Sequence, residues 1–183
     1  MGMNSLVVRV LPQGCYIDVL DNMWNVKGKS TLSRDSVMKS LVIKHVEIYE
    51  DIRHERNVYL LNQGIEMLMD IRNDFVTCIQ FKICLSWYES GLKELYDVLQ
   101  YMQQGHILFD WVCNDEGLPI GNFEDFYNRH IKFNQDKIDI FRKSFYEKEV
   151  CLTEGELYEF ERKKNRKIFR FKRNFDCYRK LEN

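Results

Sequence analysis

Apolar and polar residues alternate along several short stretches of the first two thirds of the chain. Residues 6–11, 15–20, 65–72, 79–87 and 107–113 each carry apolar side chains at every second position. In a β-strand, such alternation brings the apolar side chains to one face. The pattern therefore predicts an antiparallel sheet with one buried face and one wetter face.

Residues 37–52 fit two different patterns. Apolar residues recur at helical spacing from Val37 to Ile52, and Asp35 is placed to cap such a helix. The β-branched and aromatic residues between positions 42 and 49 favour a strand instead and interrupt the helical stripe. We favour a strand over about 41–50 and keep the helix as the alternative.

Two later segments show helical spacing more plainly. One predicts a helix near 91–104, with Ser90 as its cap and Gly105 at its end. The other predicts a helix of roughly 122–149, because its apolar residues share one face from Asn122 onwards.

A further helix is predicted after Thr153 and Glu156, which form a capping-box pattern. Its apolar seam has heptad-like spacing and contains a single lysine. The residues of this seam are Leu157, Phe160, Lys164, Ile168, Phe171, Phe175 and Tyr178. Paired with the helix before it, this segment predicts a C-terminal αα-hairpin of two long amphipathic helices.

Taken together, the patterns predict an α+β fold. Residues 1–117 form a β-rich body, an antiparallel sheet with one inserted helix near 91–104. Residues 118–183 form the C-terminal helical hairpin with its basic tail, packed with the body as one unit. With 183 residues, 45% of them apolar and 14% aromatic, the chain can bury a core of useful size.

Cysteine spacing and hydropathy indicate the cellular compartment in which the protein is expected. The six cysteines include no C-x-x-C pair, and a chain of this length and apolar content needs no disulfides, so we expect reduced, buried thiols. The longest uncharged stretch, 98–109, is shorter than the roughly 20 residues of a membrane helix. We expect no membrane span and a cytoplasmic location. A short nuclear-import pattern at 163–166 makes the nucleus the alternative.

The formal net charge of −1 hides an uneven distribution. Ten of the 27 basic residues and two of the 28 acidic residues lie in 162–183, which gives this segment a charge of +8. The remaining 17 basic and 26 acidic residues give positions 1–161 a charge of −9. A basic segment of this kind attracts a phosphate polymer, an anionic surface or the acidic part of its own chain.

The basic segment is the candidate binding site. If it is helical, its basic residues form a stripe opposite the apolar seam, and Phe169 lies off the seam, where it could stack on a base. The candidate residues are Lys163, Arg166, Lys167, Phe169, Arg170 and Arg173. Nucleic acid is favoured over membrane because the segment lacks a wide apolar face. We expect a non-enzymatic binding or assembly protein, such as a viral accessory or structural protein or a subunit of a large complex.

Other functions remain open from the sequence. The −9 body could block a basic site on a partner, as inhibitors and immunity proteins do, and the hairpin could bind a protein partner or a second copy. A small hydrolase could use the His and Glu cluster at 45–55.

Gly28 to Thr31 resembles the end of a phosphate loop, but Met23 stands where that loop needs glycine. We expect no cofactor, no metal site and no catalytic residue.

Overall fold

The main feature of the fold is an eight-stranded antiparallel sheet. The computed structural model describes residues 5–20, 23–46, 48–51, 57–61, 65–112, 117–146 and 171–173. The strands are β1 (Ser5–Pro12), β2 (Cys15–Leu20), β3 (Met23–Gly28), β4 (Ile48–Asp51), β5 (Asn57–Leu61), β6 (Ile65–Arg72), β7 (Phe75–Cys84), β8 (Leu108–Asp110), β9 (Leu118–Pro119) and β10 (Phe171–Arg173). The helices are α1 (Arg34–Ile43), α2 (Tyr88–Gln103) and α3 (Phe123–Tyr146), and a short 3-10 turn, Leu85–Trp87, precedes α2. The sheet order is β10-β4-β5-β6-β7-β1-β8-β9, and β2 pairs with β3 in a separate hairpin.

Alternation along the central strands produces the main core. Leu6, Val8 and Val10 on β1 are completely buried, and β1 pairs with β7 so that Val8 lies opposite the buried Phe81. The same alternation on β6 and β7 directs Met67, Met69, Ile79, Phe81 and Ile83 into this core. The predicted antiparallel sheet with one buried face is therefore confirmed for these strands.

Each of the three helices in the described ranges contributes side chains to this same core. Leu95 and Leu99 of α2 and Phe126 and Ile138 of α3 are buried with the sheet residues. The boundaries of α3 agree with the helix predicted at roughly 122–149. Its first turn is capped by Asn122, whose Oδ1 accepts the Asp125 N–H at 2.9 Å.

Three details of the helical predictions are wrong. Residues 41–43 belong to α1 rather than to a strand, which begins only at Ile48, so two helices lie within the β-rich part. The apolar side chains of α1, including Leu41, are buried in the core, and this packing outweighs the local β preference. The cap of α1 is Ser33, not Asp35, and α2 begins at Tyr88, before Ser90.

The predicted C-terminal hairpin is only partly described by the structure. Its first helix is α3. Most of the second predicted helix lies outside the described residues, but Phe171–Arg173 form β10 and are not helical. Strand β10 pairs with β4, so Phe171 lies opposite Asp51 rather than in a helical seam. At these three residues the sheet edge supplies backbone hydrogen bonds that replace those of a helix.

A second, smaller core lies on the opposite face of the sheet, under the β2–β3 hairpin. Cys15 and Ile17 of the hairpin pack there against Leu11, Cys78 and Trp111. Burial raises the pKa of Cys15, and burial followed by the nearby charge of Asp70 raises the pKa of Cys78 to about 12. The expectation of buried, reduced thiols holds for the described Cys15, Cys78 and Cys84. Cys113, Cys151 and Cys177 lie outside the described residues.

Within the described ranges, no helix combines the length and apolar character needed to cross a membrane.

Candidate functional site

Most of the predicted basic site lies beyond the part of the chain that the structure describes. Lys163, Arg166, Lys167, Phe169 and Arg170 are outside the described residues. Arg173 is the last residue of β10, at the edge of the large sheet, and it lies opposite Tyr49 of β4. Anion binding by these residues therefore stays a prediction.

The pairing of β10 with β4 brings opposite charges into register. Lys172 lies opposite Glu50, and the residue before it, Phe171, lies opposite Asp51. At these positions the basic segment thus adjoins an acidic strand of its own chain.

The His and Glu cluster at 45–55 is only partly described. His45 is exposed and follows α1 with a φ of 59°, while Glu50 and Asp51 are in β4. Glu47, His54 and Glu55 lie outside the described residues. In the ranges that the structure describes, no group of three or more His, Cys, Asp or Glu residues could hold a metal ion.

A serine and a histidine that are distant in the sequence meet at hydrogen-bond distance. The Oγ atom of Ser36, in the first turn of α1, lies 2.9 Å from Nε2 of His106, which follows α2. Both residues are half-buried, and burial lowers the pKa of His106, so its imidazole is neutral at pH 7. A neutral imidazole can accept the Ser36 hydroxyl proton, which is the arrangement a serine nucleophile and its base require.

Backbone contacts hold the two segments that carry this pair. Ser33 caps α1 because its Oγ accepts the Ser36 N–H at 3.1 Å, which fixes the first turn of that helix. Ser33 also forms a β-bridge with Phe75, at the start of β7. On the other side, the carbonyl of Ile107 accepts the Gln13 N–H at 3.0 Å, which ties the segment after His106 to the turn that follows β1.

A second cluster, formed by Asp110, Arg129 and His130, is buried between β8 and α3. The carboxylate of Asp110 lies 3.1 and 3.2 Å from Nε2 of His130 and 3.3 Å from Nη2 of Arg129. The same Arg129 nitrogen donates to the carbonyls of Pro119 and Ile120. His130 is 1% exposed, and its Nδ1 has no hydrogen-bond partner within the described ranges. These contacts fasten α3 to the sheet.

A third cluster joins the C-terminal half of α3 to the start of α2. The Tyr88 hydroxyl donates to Glu89 at 2.9 Å and accepts from Nη2 of Arg142 at 2.5 Å. Burial, followed by the hydrogen bond to Glu89, raises the pKa of Tyr88, so this phenol stays protonated. Its role is to connect the two helices rather than to exchange protons.

Sequence reasoning did not find the Ser36 and His106 pair. The two residues are 70 positions apart and share no motif. Only the packing of α1 against α2 brings them together, so no spacing rule could have indicated them. The structure also bears on the resemblance to a phosphate loop. Helix α1 begins shortly after Thr31, as such a loop requires, but Met23 in β3 occupies the position of the required glycine.

Comparison with known proteins identifies no relative: no family model, no curated protein and no solved structure matches the chain.

Proposed function

We propose that this chain is a binding or assembly protein whose basic C-terminal segment docks on an anionic partner, with nucleic acid as the favoured class. The observation that carries the proposal is the division of charge, +8 in 162–183 against −9 in the rest of the chain. A segment with ten basic residues gains binding free energy by releasing the counterions condensed on a phosphate backbone.

An aromatic residue strengthens the nucleic-acid interpretation. Phe169 lies among the basic residues of the segment and off its predicted apolar seam. Stacking of a base on an aromatic ring contributes about 1–3 kcal/mol and tolerates any sequence. The segment therefore supplies both the charge and a stacking group that binding of a single strand uses.

The acidic body offers an internal competitor for the same segment. Strand β10 already places Lys172 opposite Glu50. If the basic segment only neutralises acidic residues of its own chain, added nucleic acid will bind weakly. Salt dependence separates these cases, because only an external phosphate polymer releases a condensed counterion layer.

The test is a fluorescence-anisotropy titration of labelled single- and double-stranded RNA and DNA at several salt concentrations. The tail variant changes Arg166, Lys167, Arg170 and Arg173 to Gln. Because log K falls with log salt by about 0.7–0.9 per phosphate contact, we expect the loss of four basic residues to reduce this slope by about 2.8–3.6.

A matched control separates local contacts from net charge. It changes Lys27, Lys39, Lys93 and Lys132 to Gln, four exposed basic residues of the body. The control alters net charge by the same amount and is expected to retain wild-type affinity and slope. Negligible wild-type binding at about 50 mM salt, or equal losses in both variants, would overturn the proposal.

A further inference from the structure

We propose that Ser36 and His106 form a catalytic dyad that transfers acyl groups from esters with an apolar acyl chain. The hydroxyl and the imidazole are already at hydrogen-bond distance, 2.9 Å, without a bound substrate. No residue of the basic segment takes part, so this activity is independent of the binding role proposed above.

The environment suits the protonation states that the reaction needs. His106 is half-buried, and burial lowers its pKa, so Nε2 of the neutral ring is available to accept a proton near pH 7. Within the described ranges, the second ring nitrogen of His106 has no protein acceptor, so the arrangement is a dyad rather than a triad. Slow turnover is therefore expected, because no third group orients the imidazole.

The position of Ser36 in α1 favours the negative charge that develops during acyl transfer. Ser36 lies in the first turn of the helix, at the positive end of its dipole. The Ser33 cap holds this turn in place through the Ser36 N–H. A fixed positive field near the reacting oxygen lowers the energy of an oxyanion without rearrangement.

Two exposed apolar side chains belong to the segments that hold this pair, and they indicate the substrate class. Ile107, next to His106, is 57% exposed, and Phe75, bridged to the Ser33 cap, is 41% exposed. Exposed apolar groups on the segments that hold a polar pair offer contact area to an acyl chain rather than to a charged substrate.

The reaction balances without any further component. Ser36 Oγ forms a bond to the acyl carbon while its proton passes to Nε2 of His106, and the carbonyl electron pair moves onto oxygen. When that pair returns, the alkoxide leaves and takes the proton from His106. Water then attacks the acyl–serine ester, passes a proton through His106 back to Ser36, and releases the carboxylic acid.

The test treats the full chain with an alkyl fluorophosphonate, which modifies activated serines, and locates the adduct by intact mass and peptide mapping. We expect one adduct on Ser36. The Ser36→Ala variant should lose it. Ser40→Ala should keep it, because the Ser40 hydroxyl donates to the Val37 carbonyl and lies one turn further along the same helix.

His106→Gln and a pH series distinguish a dyad from a merely accessible serine. Glutamine can still hydrogen-bond to Ser36 but cannot act as the base, so the rate of modification should fall by about 10²–10⁴-fold. The wild-type rate should rise with pH and reach half its maximum below 6.5, because the pKa of His106 is lowered. Circular dichroism confirms that each variant is folded. Absence of an adduct on Ser36, or an unchanged rate of modification in His106→Gln, would overturn the proposal.

Discussion

Asp110 shows how a single buried carboxylate can hold a helix against a sheet. Its side chain has no exposed surface, and it contacts Arg129 and His130 of α3 from strand β8. Removing two charged groups from water is costly, and close pairing with hydrogen bonds offsets that cost. The group therefore matters most when Asp110 is missing, since the buried His130 and the half-buried Arg129 then lack their carboxylate partner.

We predict that Asp110→Ala lowers the free energy of unfolding by about 3–5 kcal/mol, because Arg129 is left without its buried partner. Urea denaturation followed by circular dichroism measures this loss. Asp136→Ala, an exposed carboxylate on the same helix, is the control and should change stability little. A loss in Asp110→Ala no larger than that of the control would contradict the anchoring role.

At the scale of elements, the β2–β3 hairpin depends on a close backbone approach at its base. Gly28 has a φ of 96°, and a Cβ added there would lie 2.0 Å from the carbonyl oxygen of Gly14. The Lys29 N–H also donates to that oxygen at 3.2 Å. Only glycine satisfies both the dihedral angle and the contact.

We predict that Gly28→Ala destabilises the protein by about 1–3 kcal/mol through backbone strain. Gly105→Ala is the matched control, because a Cβ at Gly105 meets no atom within 4 Å and needs no left-handed backbone. Chemical denaturation of both variants checks the prediction. Equal stability of the two proteins would show that the base of the hairpin adapts to a side chain.

The accuracy of sequence reasoning also differs from element to element. Strands β1, β6 and β7 were predictable because each buries one face, and burial of one face imposes alternation. Helix α1 was not predictable, because the β-branched residues near its end favour a strand locally. Packing of its buried side chains in the core stabilises the helix instead. Ser36 and His106 lie outside the reach of any local pattern, since tertiary packing alone brings them together.

At the scale of the molecule, the sheet and the helices share one core. Phe126 and Ile138 of α3 are buried with Leu6 of β1 and Leu99 of α2. We therefore predict that loss of helix and loss of tertiary packing occur together. Urea curves from far-UV circular dichroism and tryptophan fluorescence should superimpose, and two separated transitions would show that α3 unfolds independently.

The place of β1 in the sheet has a consequence for biosynthesis. β1 lies between β7 and β8, and Ser5 pairs with Cys84, which is translated 79 residues later. At about 5–20 residues per second, β1 stays unpaired for roughly 4–16 s on the ribosome. The meander from β4 to β7 pairs strands that are neighbours in sequence, so it can form before β1 is inserted. The apolar β1 segment is therefore a natural binding target for chaperones that attend nascent chains.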